Sequence, residues 1–192
     1  IGGSDWNLLE GTTGIATIIR GGKYLPPKFI QEIRGPYGNI LYRATNIEPR
    51  MAFSEETANK LVVLGRLVTK VGTLKKSMRG IEQQIIGKTG TSNNPDPNQG
   101  NGPGDVTTFS GSPEFVMGIR LGHDNPKPII VPEYMKKVSG QSNRLVSAGW
   151  VNGPLTRRIW DRIYKNKPRV NFSPAVEDSV AEQLANYPAK YR

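Results

Sequence analysis

Apolar residues recur at helical spacing in two stretches of the first half of the chain. In DWNLLEGTTGIATIIRGG the residues near helical spacing are Leu8, Leu9, Ile15, Ile18 and Ile19, with weak helix formers from Gly11 to Gly14 between them, and Gly21-Gly22 supplies a stop signal. In the second stretch Ser54 is a candidate N-cap with acidic residues behind it, and an apolar stripe continues to about Val71-Gly72. The pattern predicts one helix in each stretch.

Alternating and β-branched stretches predict strands. KFIQEIRGPYGNILYRA alternates around a cluster of turn residues, which is typical of a surface β-hairpin. EQQIIGKTGT predicts a strand, and a loop crowded with Asn, Pro and Gly, from Ser92 to Asp105, follows it. Two further strands are expected at Val106 to Ser110 and Phe115 to Leu121, and with the strand before the loop they would form an antiparallel sheet.

Helical spacing returns in the last part of the chain. Pro154 precedes LTRRIWDRIYK, so we expect a third helix that begins at this proline and packs on the sheet. Beyond Lys165 only a short helix between Pro174 and Leu184 is expected. The predicted fold class is α/β, of the α+β kind, with an antiparallel sheet flanked by helices. Residues 1–165 would form one domain and residues 166–192 a C-terminal extension or linker.

Composition excludes several classes of chemistry. The chain has no cysteine, so a disulfide, a thiolate metal site and a cysteine nucleophile are all excluded, and the single His123 argues against a Ser-His-Asp triad. We expect no metal and no cofactor. The formal charge of +10 suits an anionic partner, but the charges are dispersed, so we expect a solvated basic surface and no nucleic-acid partner. No apolar stretch approaches the ~20 residues of a membrane helix, so membrane contact is expected only through a parent protein.

The stretch IIGKTGT, residues 85–91, has two incompatible interpretations. A phosphate loop would need a glycine where Glu82 stands and a helix directly after the threonine, but GTSNNPDPNQ cannot begin a helix. The nucleotide interpretation therefore fails on two counts.

The second interpretation places KTGT on an exposed strand edge. Lys88 and Gly90 would then alternate with Thr89 and Thr91. An ammonium group, hydroxyls and a glycine along one edge suit an extended peptide with a free carboxylate. Taken alone, the same residues also fit an edge strand with no ligand.

The order of further motifs resembles a known family. KTGT, a polar loop, a Phe-Ser-Gly-Ser-Pro hairpin and GIRLGHDNPKP together resemble the sheet of penicillin-binding transpeptidase domains, especially of the bifunctional high-molecular-weight type. The flanking stretches SDWNLLEGTTGIATIIRGGKYLPPKFI and GWVNGPLTRRIWDRIY resemble helices of the same domains. The resemblance runs in order from about Ile1 to Tyr164. It implies a β-lactamase/transpeptidase-like fold, incomplete at its N-terminal side.

The resemblance also shows what the sequence lacks. The family uses Ser-x-x-Lys for the nucleophile, Ser-x-Asn and Lys-Thr-Gly, but no serine here has a lysine three residues later. Thr73 to Lys76 and Ser92 to Asn94 match loosened patterns at the wrong places, and ordinary loop polarity explains both. The chain has no initiator Met, which suits a processed product, an excised domain or a fragment. We expect the C-terminal half of a transpeptidase domain, inactive alone.

The resemblance assigns roles to four residues. Lys88 would supply positive potential in a supporting catalytic role, Thr89 and Thr91 would bind the substrate carboxylate, and Gly90 would keep the edge open. The Thr91 amide would form half of an oxyanion hole.

Three departures from the family pattern, Thr108, Ser112 and His123, put substrate selectivity in doubt rather than the fold. The implied ligand is a peptidoglycan stem peptide or a β-lactam. A second chain would supply the N-terminal half of the domain, and the location would be outside the cytoplasmic membrane, in the periplasm or at the cell-wall face. The alternative is a non-catalytic module that binds peptidoglycan or a protein.

Overall fold

A computed structural model describes residues 6–93, 98, 102–125, 127–130 and 146–188. Its helices are α1 Leu8–Ile19, α2 Glu55–Lys70, α3 Lys75–Met78, α4 Ala148–Ile163 and α5 Pro174–Ala185. Its strands are β1 Lys23–Tyr24, β2 Glu32–Arg34, β3 Ile40–Arg43, β4 Arg50–Met51, β5 Ile86–Thr91, β6 Asp105–Gly111 and β7 Val116–Gly122.

The main sheet is the predicted antiparallel one, with strand order β5-β6-β7. β5 pairs with β6 from Ile86 opposite Gly111 to Thr91 opposite Val106, without a bulge. The predicted hairpin is confirmed as β2 paired with β3, and β1 pairs with β4 in a separate two-stranded ladder. Half of the predicted loop between β5 and β6 lies outside the described residues.

Helices cover both faces of this sheet. On one face α1 approaches so closely that a Cβ on Gly111 would overlap the Ile19 side chain. On the other face Trp160 of α4 is fully buried, and its Nε1 donates to Ser110 Oγ at 3.0 Å. The predicted α+β fold, an antiparallel sheet flanked by helices, is therefore confirmed.

The predicted start of the third helix is wrong. Helix α4 begins at Ala148, and Pro154 lies inside it. A proline inside a helix has no N–H to donate to the carbonyl one turn earlier. That carbonyl belongs to Trp150, which lies in the first turn of α4. The helix therefore begins six residues before the proline that was taken as its start.

The C-terminal part of the chain packs on the domain. The expected short helix is confirmed as α5, and its residues Val176 and Val180 are buried. Val176 packs in one cluster with Val62 of α2 and Ile86 of β5. The division at residue 165 stays a prediction, but the described residues beyond it lie against α2 and β5.

Tyr164, directly after α4, predicts a specific response to alkaline pH. Burial raises the pKa of its phenol above the ordinary value, and the nearby Glu114 carboxylate adds to the effect while the hydrogen bond to Ser112 opposes it. Because this pKa is higher in the folded state, the neutral phenol stabilises the fold fully below the unfolded pKa of about 10. That stability is lost as the pH rises through the pKa of the folded state. The free energy of unfolding should therefore fall as the pH rises above about 10.

Tyr164→Phe should make that fall shallower in denaturant titrations at each pH. Tyr37→Phe is the control, because that ring is 96% exposed. Equal pH slopes for all three proteins would contradict the assignment.

Candidate functional site

One edge of the main sheet, along β5, has no strand partner among the described residues. The Ser92 N–H donates to Asp105 O on the β6 side at 2.9 Å. Backbone groups alternate in direction along an antiparallel strand, so Thr89 and Thr91 direct their N–H and C=O groups away from β6. The KTGT stretch therefore presents backbone hydrogen-bonding groups at an open edge.

The side chains of KTGT divide between the two faces of the sheet. Thr89 pairs with Thr108, which lies two residues before Ser110 and therefore on the same face of β6. Because Trp160 of α4 bonds to Ser110, Thr89 and Thr91 lie on the face that α4 covers. Thr89 Oγ1 lies 2.8 Å from Thr73 Oγ1. Thr91 Oγ1 accepts a hydrogen bond of 3.0 Å from the N–H of Ala148, the first residue of α4. Both hydroxyls are thus held at the junction of strand and helix.

Lys88 and Gly90 lie on the opposite face, as the alternation predicted. The Lys88 side chain is exposed, and its Nζ donates to the carbonyl oxygen of Thr89 at 2.6 Å. A Cβ on Gly90 would lie 2.5 Å from Thr107 Oγ1 of β6. Gly90 therefore leaves room for the side chain of Thr107 on the adjacent strand.

A cleft of about 600 Å³ opens beside Thr89 and Thr91. Its other walls come from the segment around α3 and from α4 with its N-cap residue. The residues that line it besides the two threonines are Thr73, Lys76, Ser77, Ser147, Gly149, Trp150, Pro154, Arg157 and Arg158. Sequence reasoning missed this cleft, having set Thr73 and Lys76 aside as loop residues.

The signal that was available for the cleft is the glycine pair of α4. A Cβ on Gly149 would lie 2.6 Å from the carbonyl oxygen of Thr73, and one on Gly153 would overlap Ser77 Oγ. Gly149 and Gly153 are four residues apart, so they share one face of the helix. They allow α4 to pack directly against Ser77 of α3 and against Thr73.

Two of the three residues that depart from the family pattern lie on the face of the sheet that α4 and its C-terminal end cover. Thr108 and Ser112 are fully buried, and Ser112 Oγ lies 2.7 Å from the Tyr164 hydroxyl. The aromatic bulk on this face comes from Trp160 and Tyr164. His123 is exposed just beyond β7, away from the KTGT edge along the sheet.

Among the residues the structure describes, no group of three or more His, Asp or Glu side chains could hold a metal ion. Within the same part of the chain, no helix has the length and apolar character needed to cross a membrane.

A family model described as penicillin binding protein transpeptidase domain matches residues 1–119, more than half of the chain. The chain belongs to the penicillin-binding protein transpeptidase family. The matched residues include the whole KTGT strand and β6, so the family assignment covers the open edge described above.

Relatives and solved structures agree with the family. Penicillin-binding protein 1A of Rickettsia prowazekii is 26% identical over 205 residues, which cover 94% of this chain and 23% of that protein. The chain therefore spans about a quarter of the length of the curated relatives it matches. PonA1 of Mycobacterium tuberculosis superposes with a TM-score of 0.71 at 15% identity, over 87% of this chain and 40% of that chain. Penicillin-binding protein 1A of Haemophilus influenzae gives 0.66 at 16% identity, over 88% and 28%. The fold is that of the family's solved members.

Proposed function

We propose that the chain is a segment of a peptidoglycan D,D-transpeptidase and forms the substrate-binding wall of the site. One observation carries the proposal: Lys88 to Thr91 lie on the open edge of β5, with the Thr89 and Thr91 hydroxyls beside the cleft. An extended stem peptide, or a β-lactam that mimics its end, would pair with the outward backbone groups of the two threonines. The location that suits this substrate is outside the cytoplasmic membrane.

The edge has to change when a substrate binds. Lys88 Nζ now donates to the Thr89 carbonyl, which is one of the outward groups. A paired substrate strand would compete for this carbonyl, and the ammonium group would then be free to face the substrate. The Thr91 N–H, on the same edge, would be available to stabilise an oxyanion.

The nucleophile is proposed to lie outside these 192 residues. None of the serines in the sequence is followed by a lysine three positions later, and acyl transfer in the family depends on that pair. Either another part of a longer chain or a second chain would supply Ser-x-x-Lys. Residues 1–192 alone would bind substrate without becoming acylated.

The binding wall is tested by removing single hydroxyls. We expect Thr89→Val to weaken binding of an acetylated peptide ending in D-Ala-D-Ala by roughly 10- to 100-fold, the usual effect of losing a hydrogen bond to a charged group. The dissociation constant is measured by isothermal titration calorimetry. Thr107→Val is the matched control, because its side chain lies on the opposite face of the sheet. Equal affinity of the Thr89 variant and the native chain would contradict the proposal.

A non-catalytic binding module is the second candidate, and the β2–β3 hairpin favours it. The hairpin exposes apolar side chains, with Leu41 64% and Tyr42 48% exposed and Tyr37 in its turn 96% exposed. Exposed apolar clusters mark protein-binding surfaces. Binding of cell-wall fragments or a protein that survives Thr89→Val would favour this candidate.

A further inference from the structure

We propose that the β2–β3 hairpin binds an extended acidic segment of a partner protein, which joins the hairpin as a third strand. The segment would alternate acidic and apolar residues. This surface is distinct from the KTGT edge, because neither strand of the hairpin contacts β5. The inference adds a protein-docking function to the proposed one.

The hairpin has no packing partner in the described part of the chain. There β2 and β3 contact each other and no other strand or helix. All four residues of β3 are exposed, and Leu41 is 64% exposed. A two-stranded hairpin is only marginally stable in water, whereas three strands with an apolar face can form a stable sheet. A third strand would therefore supply what the hairpin lacks.

The two faces of the hairpin differ in chemistry. Glu32 pairs with Arg43 and Ile33 pairs with Tyr42, so the two pairs lie on opposite faces. On the first face, the Glu32 carboxylate accepts hydrogen bonds from both Arg34 and Arg43, whose side chains are more than half exposed. One carboxylate between two guanidinium groups leaves this face basic. The face of Ile33 and Tyr42 is apolar.

The outer edge of β2 is open for strand addition. The Gln31 carbonyl accepts a hydrogen bond of 2.8 Å from Ala44 N, so Gln31 directs its backbone groups toward β3. Backbone groups alternate in direction along an antiparallel strand, so Glu32 and Arg34 direct theirs away from β3. The edge of β3 is less regular, because its register with β2 shifts by one residue and such a bulge disrupts pairing. The β2 edge is therefore the one that a third strand would use.

The charges and the two faces together identify the occupant. Successive side chains of an added strand would lie beside Arg34 and beside Ile33 in turn, so acidic residues suit one set of positions and apolar residues the other. A second copy of this chain would be repelled, since each copy carries a formal charge of +10. A membrane surface would have to meet basic and apolar groups on one side, but here they lie on opposite faces. An acidic extended polypeptide fits both faces at once.

The test uses fluorescein-labelled peptides of about eight residues and measures their binding to the whole chain by fluorescence anisotropy. We expect an alternating Glu/Val peptide to bind about 5- to 30-fold more tightly than an alternating Lys/Val peptide, as two exposed ion pairs would give. A peptide with all its glutamates before its valines has the same composition and should bind weakly. When the alternating Glu/Val peptide binds, the amide protons of Glu32 and Arg34 should become protected from hydrogen exchange.

Two variants separate the charge from the apolar contact. Arg34→Gln/Arg43→Gln should abolish the preference for the Glu/Val peptide. Arg79→Gln/Arg162→Gln is the matched control, because it removes two exposed arginines outside the hairpin. Tyr42→Thr keeps a strand-forming residue in β3 and should weaken binding of the Glu/Val peptide by roughly 2- to 5-fold. Binding of an alternating Glu/Thr peptide should be the same for Tyr42→Thr and the native chain.

Equal affinity for the Glu/Val and Lys/Val peptides overturns the proposal. Tight binding of the peptide with separate glutamate and valine blocks also overturns it, because charge would then act without strand pairing. Displacement by an unlabelled peptide ending in D-Ala-D-Ala would place the label on the β5 edge, which overturns the docking function while the proposed function stands. Binding of phosphatidylglycerol vesicles without binding of any peptide would assign the hairpin to a membrane surface and overturn it too. Binding of the Glu/Val peptide by a chain that fails to bind D-Ala-D-Ala peptides would overturn the proposed function alone.

Discussion

Replacing Glu177 by alanine should lower the free energy of unfolding by about 3–5 kcal/mol, the usual cost of removing one partner of a buried ion pair. Its carboxylate binds Arg66 through both oxygens, at 2.7 and 3.0 Å. The Arg66 side chain is only 4% exposed and also donates to the carbonyl of Ile85, the residue before β5. Without Glu177 its guanidinium would remain buried with no opposite charge.

The effect is measured by urea unfolding, followed by far-UV circular dichroism. Glu182→Ala is the matched control, an exposed acidic residue on the same helix α5. The double variant Arg66→Met/Glu177→Leu should recover much of the lost stability, because apolar residues can replace a buried ion pair at little cost. Losses of similar size for Glu177→Ala and Glu182→Ala would show that α5 is only loosely attached.

This prediction concerns a part of the chain in which the sequence indicated the short helix α5 but not the residues against which it packs. The stretch beyond Lys165 showed little periodicity, and we expected an extension or linker there. In the structure it is held by contacts between residues far apart in sequence: Phe172 N donates to Gln84 Oε1 at 2.7 Å, and Glu177 binds Arg66. Such contacts leave no periodic signal.

Local signals were dependable elsewhere. Ser54 caps α2 by accepting a hydrogen bond from Thr57 N. The helix ends at Lys70 with Val71 as its C-cap, as predicted. The three main strands have the predicted order along the chain. The start of α4 was wrong, because a proline near a helix start was taken as its first residue. The helix reaches back to Ala148, where the hydroxyl of Thr91 in β5 accepts its first N–H.

The candidate site was predictable only in part. Strand alternation alone placed Lys88 opposite in face to Thr89 and Thr91, and the register of β5 with β6 confirms it. The cleft depends on α3 and α4 coming together beside β5. The sequence held one signal for the cleft, the glycines at 149 and 153. They indicate close helix packing only once Thr73 and Ser77 are known to lie against them.

We propose above that this chain provides a substrate-binding wall and that another polypeptide segment provides the nucleophile. This proposal predicts an all-or-none difference in covalent labelling by penicillin. The acyl-enzyme of this family forms on the serine of Ser-x-x-Lys, and binding groups alone cannot substitute for that bond. A sample used for labelling must first show cooperative unfolding, so that the absence of label reflects the lack of a nucleophile and not an unfolded chain.

The most direct measurement is the intact mass of the chain after incubation with a fluorescent penicillin and denaturation. It is made for the chain alone, for a separate chain that carries the family's Ser-x-x-Lys and Ser-x-Asn stretch, and for the two chains together. We expect no label on residues 1–192 in any sample. We expect label on the added chain, in a yield that rises when residues 1–192 are present and falls with Thr89→Val. Label that stays on residues 1–192 alone would contradict the proposal, and peptide mapping would then locate the nucleophile.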